Sequence, residues 1–338
     1  MGSKARGRKK LSLGDVITSK TCRYVLLQEL ESLYNGCIYE VASKSRMETR
    51  LAMKIEWKVE GQRHTRLGME IAALRLIRQK TVSPHFVDFI DQGVNDSFYF
   101  MVSTPVDESL DRLTEDTNMR FAPRTAFAVG VQMVDALRDL HSVGFIHRDI
   151  RPYNFCPGVD GRSSILYLVN LGRSVSYKKE DGTLRKPRTK APIRGKLKFI
   201  SLSTHSFAEQ SPRDDIESLI YSMVDLCNGL SWRYLTPDGM AAQKKRLREF
   251  PDVCFRRLSP PTMKAILTYL DGLDYYKSVD YDYVKKMFTE AAKLEKIEFL
   301  SGKYEWEFDP DHDYSDNQPH TFQDSPPISA DDSDYPLY

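Results

Sequence analysis

The 338-residue sequence contains no apolar run of the roughly 18 residues that a membrane helix needs, and its basic start is not followed by an apolar signal core. Neither membrane insertion nor secretion is expected. Cysteine is scarce: Cys22, Cys37, Cys156, Cys227 and Cys254 are odd in number, scattered and without metal-ligand spacing. They predict reduced thiols in a cytoplasmic or nuclear setting. The opening Met-Gly-Ser-Lys-Ala-Arg has the glycine for myristoylation, yet Arg6 stands where Ser or Thr is required, so no lipid anchor is expected.

Hydrophobic residues at 41% and charged residues at 28% lie near the averages of globular domains, which excludes a chain disordered throughout. Charge is unevenly spread. Residues 308–338 hold eight Asp and no Lys or Arg, so with a formal net charge of +2 the rest of the chain carries +10. This acidic segment, rich in Ser and Pro, is expected to be disordered. Lys4, Arg6, Arg8, Lys9 and Lys10 make a basic start, and residues 1–19 are expected to form a flexible arm. A solvated end and a localisation or anion-binding signal are both open readings of it.

Between Tyr24 and about Val102, five runs rich in β-branched and aromatic residues read as strands. One stretch, "LGMEIAALRLI", has helical spacing. After "STPVDES" five helical stretches follow. A β-rich lobe with one helix, then a helical lobe, predicts an α+β architecture.

The segment "FIHRDIRPYNF", residues 145–155, follows a long helix and resembles the protein-kinase catalytic loop. Its spacing has a chemical reason: Asp149 must orient a substrate hydroxyl while Asn154 reaches a magnesium ion, so both project from one short loop. "LAMK" places Lys54 on the third of the strand runs, and Glu70 lies sixteen residues on in the single helix. In a kinase these pair to hold the α and β phosphates. Residues 194–233 retain "STH", "EQS" and "RDDIESL", which are similar to the casein kinase one superfamily. The later "YEWE" segment resembles its tau-tubulin-kinase-like branch, and the likeness covers about residues 20–307.

That resemblance implies a bilobal kinase fold, with an N-lobe over about 20–103 and a C-lobe over about 104–307. It implies ATP and Mg2+ as cofactors, with Lys54, Glu70, Gly36 and Ala52 at the nucleotide. Asp149 would be the catalytic base, Arg151 would meet the transferring phosphate, and Asn154 and Asn170 would share the metal. Arg148 and Asp215 would be structural, with a plain helix cap as the other reading of Asp215.

Three departures predict weak or lost phosphoryl transfer to Ser or Thr. Asn170-Leu171-Gly172 stands where Asp-Phe-Gly is expected. Loss of a unit charge about 4 Å from the metal is worth about 4 kcal/mol at an effective dielectric of about 20. Only Gly36 remains of the glycine-rich loop, Glu31 and Leu33 replacing the other two glycines, and Asn35-Gly36 reads instead as a hairpin turn. Arg151 replaces a lysine and keeps the charge in a different shape. A pseudokinase that acts as a binding scaffold is the alternative.

The basic segment 178–198 suggests an acidic or phosphorylated protein as substrate or partner. Lys198 and Lys244 match the superfamily's anion-binding patch. A solvated basic loop is equally compatible with this segment. No aromatic interleaving supports nucleic acid as a partner.

Overall fold

Strands between Val16 and Ser103 pair into one antiparallel sheet because their apolar residues recur every second position. In β3 (Gly36–Ser43) Cys37, Tyr39 and Val41 are buried, and in β4 (Arg46–Trp57) Leu51, Met53 and Ile55 are. The structure is a computed structural model that describes residues 11–61, 64–116, 120–299 and 303–307. The sheet also contains β1 (Val16–Thr18), β2 (Arg23–Leu33), β5 (Phe89–Val94) and β6 (Phe98–Ser103), in the order β1-β2-β3-β4-β6-β5. Its inner face is a core of its own, in which Phe98, Phe100 and Val102 meet the residues of β3 and β4.

Helix α1 (Arg66–Lys80) lies across the other face. Thr65 caps it, its Oγ1 accepting from Gly68 N at 2.9 Å. The Glu56 carboxylate accepts from Leu67 N at 2.7 Å and from Arg66 N at 3.2 Å, so two of the free amides of the first turn are met by a strand residue.

The second lobe is helical: α2 (Leu110–Asp116), α3 (Pro123–Ser142), α4 (Leu202–His205), α5 (Pro212–Asn228), α6 (Pro237–Glu249), α7 (Pro260–Asp271) and α8 (Tyr281–Leu294). Between α3 and α4 the chain forms β7 (Phe145–Ile146), β8 (Phe155–Pro157), β9 (Leu166–Leu168) and β10 (Val175–Ser176), with β7 paired to β10 and β8 to β9. The catalytic-loop motif runs from β7 through the connecting loop into the start of β8. The whole is the bilobal α+β arrangement of a kinase fold. Among the described residues no helix is long and apolar enough to cross a membrane.

Two expectations change. The flexible arm over 1–19 does not extend to residue 19, because Val16–Thr18 pairs in register with Arg23–Val25. Residues 1–10 and the acidic segment 308–338 lie outside the described residues. The hairpin loop is Tyr34-Asn35 rather than Asn35-Gly36, since Leu33 pairs with Gly36. Asn35 Nδ2 donates to Trp57 O at 3.0 Å, and Gly36 sits inside the strand.

Gly36 is required there by packing. A Cβ built on it would lie 1.9 Å from the Ile55 carbonyl oxygen. Gly36→Ala is expected to cost about 1–3 kcal/mol, because the two strands must separate. Urea unfolding of the two proteins measures this, and an unchanged midpoint would contradict it.

Candidate active site

Strand alternation puts Ala52 and Lys54 on one face of β4, opposite the buried Met53. From that face Lys54 Nζ reaches Glu70 Oε2 at 2.7 Å. Glu70 is buried on α1, so the pair ties sheet to helix. The turn after Asn170 supports the helix from below. A Cβ on Gly172 would come within 2.9 Å of the Arg66 side chain and 3.0 Å of its carbonyl oxygen, so glycine permits this approach.

The loop after β7 is anchored by Asp215, near the start of α5. Its carboxylate accepts from His147 N at 2.7 Å, Arg148 N at 2.9 Å and His141 Nε2 at 2.9 Å. Helix α5 is capped by Ser211, whose backbone N donates to Asp214 at 2.7 Å. Capping thus falls to Asp214, and Asp215 is free for the loop. Burial raises the pKa of Asp215, but hydrogen bonding to His141 and the neighbouring imidazoles outweigh it, and the net shift is downward. His147 is fully buried. Its pKa is lowered by that burial, and as a neutral ring it accepts from Asp149 N and donates to Val169 O.

Arg148 adopts φ 67°, a left-handed conformation that its bonds to Asp215 and to the Arg173 carbonyl hold in place. Asp149 faces two guanidinium groups, with Arg151 Nε at 3.6 Å and Arg173 Nε at 3.8 Å. Asp149 Oδ1 and Arg151 Nε are buried without a hydrogen-bond partner. They point toward each other across a separation longer than a hydrogen bond. The Arg151 guanidinium also lies 4.2 Å from the centre of the Tyr153 ring.

Asn154 Nδ2 donates to the Asp149 carbonyl at 2.6 Å. Asn170 Oδ1 accepts from Lys54 at 2.7 Å, and Asn170 Nδ2 donates to Asn154 Oδ1 at 2.9 Å. Asn170 has φ 62°, where asparagine is among the best tolerated residues. The metal expected on Asn154 and Asn170 does not fit this donor set. The one oxygen of Asn170 is engaged by an ammonium group, and its N–H is turned toward the other presumed ligand. A hard dication needs oxygens converging on it.

The sequence marks Glu31 as part of the eroded loop but does not reveal its partner across the cleft. This residue, at the position of a lost loop glycine, accepts a hydrogen bond from Tyr153 Oη. Burial and then Glu31 raise the pKa of Tyr153. The β2 strand and the catalytic-loop region are thereby joined across the cleft. Arg173, immediately after Gly172, was likewise not singled out from the sequence.

Both proposed anion-patch lysines are elsewhere engaged. Lys244 is 0% exposed and donates to Leu197 O at 2.8 Å and Ile200 O at 2.7 Å, with His205 Nε2 at 3.2 Å. It braces residues 197–200, at the end of the basic segment, from within. Lys198 lies 3.7 Å from the buried Asp225 and over the Phe199 ring, and burial lowers its pKa. Lys244 presents no ammonium group on the surface, and that of Lys198 is only partly exposed and paired. Lys179, Arg185, Lys186, Lys190 and Lys196 are exposed and supply the basic face.

The profile described as "Protein kinase domain" matches residues 28–183. A Caenorhabditis elegans protein provisionally named a serine/threonine-protein kinase is 30% identical over 255 residues, covering 72% of this chain and 74% of its own length. A second C. elegans protein with a similar provisional name is 26% identical over 307 residues, covering 89% and 86%. A third, provisionally named a casein kinase I, is 32% identical over 204 residues, or 59% of each chain.

Proposed function

Because the chain belongs to the protein kinase family, we propose that it binds adenine nucleotide between its lobes as a casein-kinase-one-like protein of the tau-tubulin-kinase type, with phosphoryl transfer to Ser or Thr weak or lost. Protein kinase domains in general use ATP and a divalent metal and act on protein substrates. The observation that carries the nucleotide reading is the 2.7 Å Lys54–Glu70 pair, which presents a positioned ammonium group to phosphates. Asp149 would accept the proton of a substrate hydroxyl. Arg151, with its unpartnered Nε, would face the transferred group.

Weak transfer is supported by the two guanidinium groups that compete for Asp149 and by the Glu31–Tyr153 bond over the cleft. The same bond favours a second reading, a pseudokinase scaffold in which the lobes are held together for binding. The exposed cations of residues 179–196 support an acidic or phosphorylated protein as substrate or partner. The free state of all five cysteines is compatible with a cytoplasmic or nuclear setting.

Lys54→Met is expected to weaken ATP binding by about tenfold or more, the loss of one charged contact to phosphate. Isothermal titration of both proteins, paired with transfer of labelled phosphate to an acidic protein, tests the reading. No ATP binding by the unaltered chain would refute it.

A further inference from the structure

The partners of Asn170 determine which way its amide faces. An ammonium group only donates, so the atom 2.7 Å from Lys54 Nζ is the amide oxygen. At the far end a backbone carbonyl only accepts, so the atom 2.6 Å from the Asp149 oxygen is Asn154 Nδ2. The 2.9 Å contact between the two side chains must then run from Asn170 N–H to Asn154 Oδ1. The chain from Lys54 through Asn170 and Asn154 to Asp149 has one direction, and neither amide can turn over alone without setting donor against donor.

A carboxylate at position 170 could give one oxygen to Lys54 and the other to a dication. An amide has a single oxygen, and one of its two lone pairs already accepts from Lys54. What faces Asn154 is an N–H group with partial positive charge, placed where a metal would join the two side chains. The cations close to the site come from the chain itself. Lys54 stands on Asn170, while Arg151 and Arg173 stand on Asp149 at 3.6 and 3.8 Å. Arg151 Nε has no hydrogen-bond partner and remains able to donate.

We propose that the cleft takes a nucleoside di- or triphosphate free of divalent metal, with the Asn170–Asn154 hydrogen bond occupying the bridging position of the ion. This rests on the nucleotide-binding reading above. Lys54 and Arg151 would supply the positive charge that magnesium otherwise brings to phosphate oxygens. Electrostatic attraction to the free tetra-anion would then offset the loss of the ion.

The test is ATP binding to the full chain by isothermal titration, in excess MgCl2 and in excess EDTA, for the unaltered protein and for Asn170→Asp. The unaltered protein is expected to bind with affinities within about twofold of each other in the two buffers, less than 0.5 kcal/mol apart. Asn170→Asp, with an oxygen to spare, is expected to bind about tenfold or more tightly in magnesium than in EDTA. Tightening of the unaltered protein by tenfold in magnesium would overturn the proposal and leave the nucleotide reading standing. Absence of binding in both buffers would overturn the nucleotide reading and this inference with it. The unaltered protein alone decides, so a poorly folded variant does not obscure the result.

Discussion

Asp215→Ala is expected to lower stability by about 3–5 kcal/mol, the range for stripping one partner from a buried charged network. The carboxylate is 3% exposed, and its removal leaves His147 N, Arg148 N and His141 Nε2 without an acceptor. The φ of 67° at Arg148 then loses one of the bonds that hold it, and the catalytic loop relaxes. Asp215→Asn should also destabilise, because its amide N–H would face one of the same donors. Urea unfolding with an unchanged slope is the measurement, and a loss below about 1 kcal/mol would show that the loop finds another anchor. The pH dependence has a definite sign. A carboxyl with its folded pKa depressed adds stability above its unfolded value of 3.8, and that stability is lost as pH falls through the folded pKa. His147, lowered by burial from 6.5, acts in the same direction from a higher starting point: it must be charged to unfold in acid. Acid destabilisation should therefore begin below about pH 6.5.

Placement that depends on order and short spacing is legible in the sequence. Lys54, Glu70, Asp149 and Asn154 sit in local motifs on elements of strong periodicity, and the structure brings Lys54 and Glu70 together at 2.7 Å. Roles that depend on side-chain direction were not legible. The resemblance places Asn170 at the metal, and only its contact with Lys54 shows that its amide oxygen already has a partner. The Glu31–Tyr153 bond joins residues 122 positions apart, beyond any local pattern. Short elements were also missed: β1 and α2 are held by pairing and packing more than by their own propensity.

The burial of Lys244 is hidden from a local reading for a different reason. Its neighbours Lys245 and Arg246 are exposed, so the run looks like a charged surface. Met240, Lys244 and Leu247 are spaced four and three apart, however, and all are buried on one face of α6. That helical spacing was the available signal. A basic residue on an apolar stripe is a candidate for internal bracing, and its two backbone carbonyl partners are what the stripe conceals.

Raising the pH from 7 to 9 is expected to stabilise the protein through Lys244. Burial lowers its pKa from 10.5 to about 7, against a smaller upward pull from Glu217, and Arg248 lowers it further. The other groups facing it are the rings of Tyr221 and Trp232 and His205, itself pushed down to about 4 by burial and by Lys244. Between the two lysine values the unfolded chain holds a proton that the folded chain has released, so stability rises with pH. The slope approaches about 1.4 kcal/mol per pH unit, or about 2–3 kcal/mol over the interval. Buried thiols oppose this toward the top of the interval: Cys37, Cys156, Cys227 and Cys254 are all raised from 9.0 by burial, so unfolding releases their protons as pH approaches 9 and the net rise is steepest between pH 7 and 8. Lys244→Met removes the titrating group and should flatten the rise, while leaving the Leu197 and Ile200 carbonyls without their donor. Urea unfolding of both proteins at pH 7, 8 and 9 separates the two effects. The carbonyls set the offset between the curves, and the buried ammonium sets the difference in slope. Parallel curves would mean that Lys244 keeps its proton throughout and braces the segment as a permanent charge.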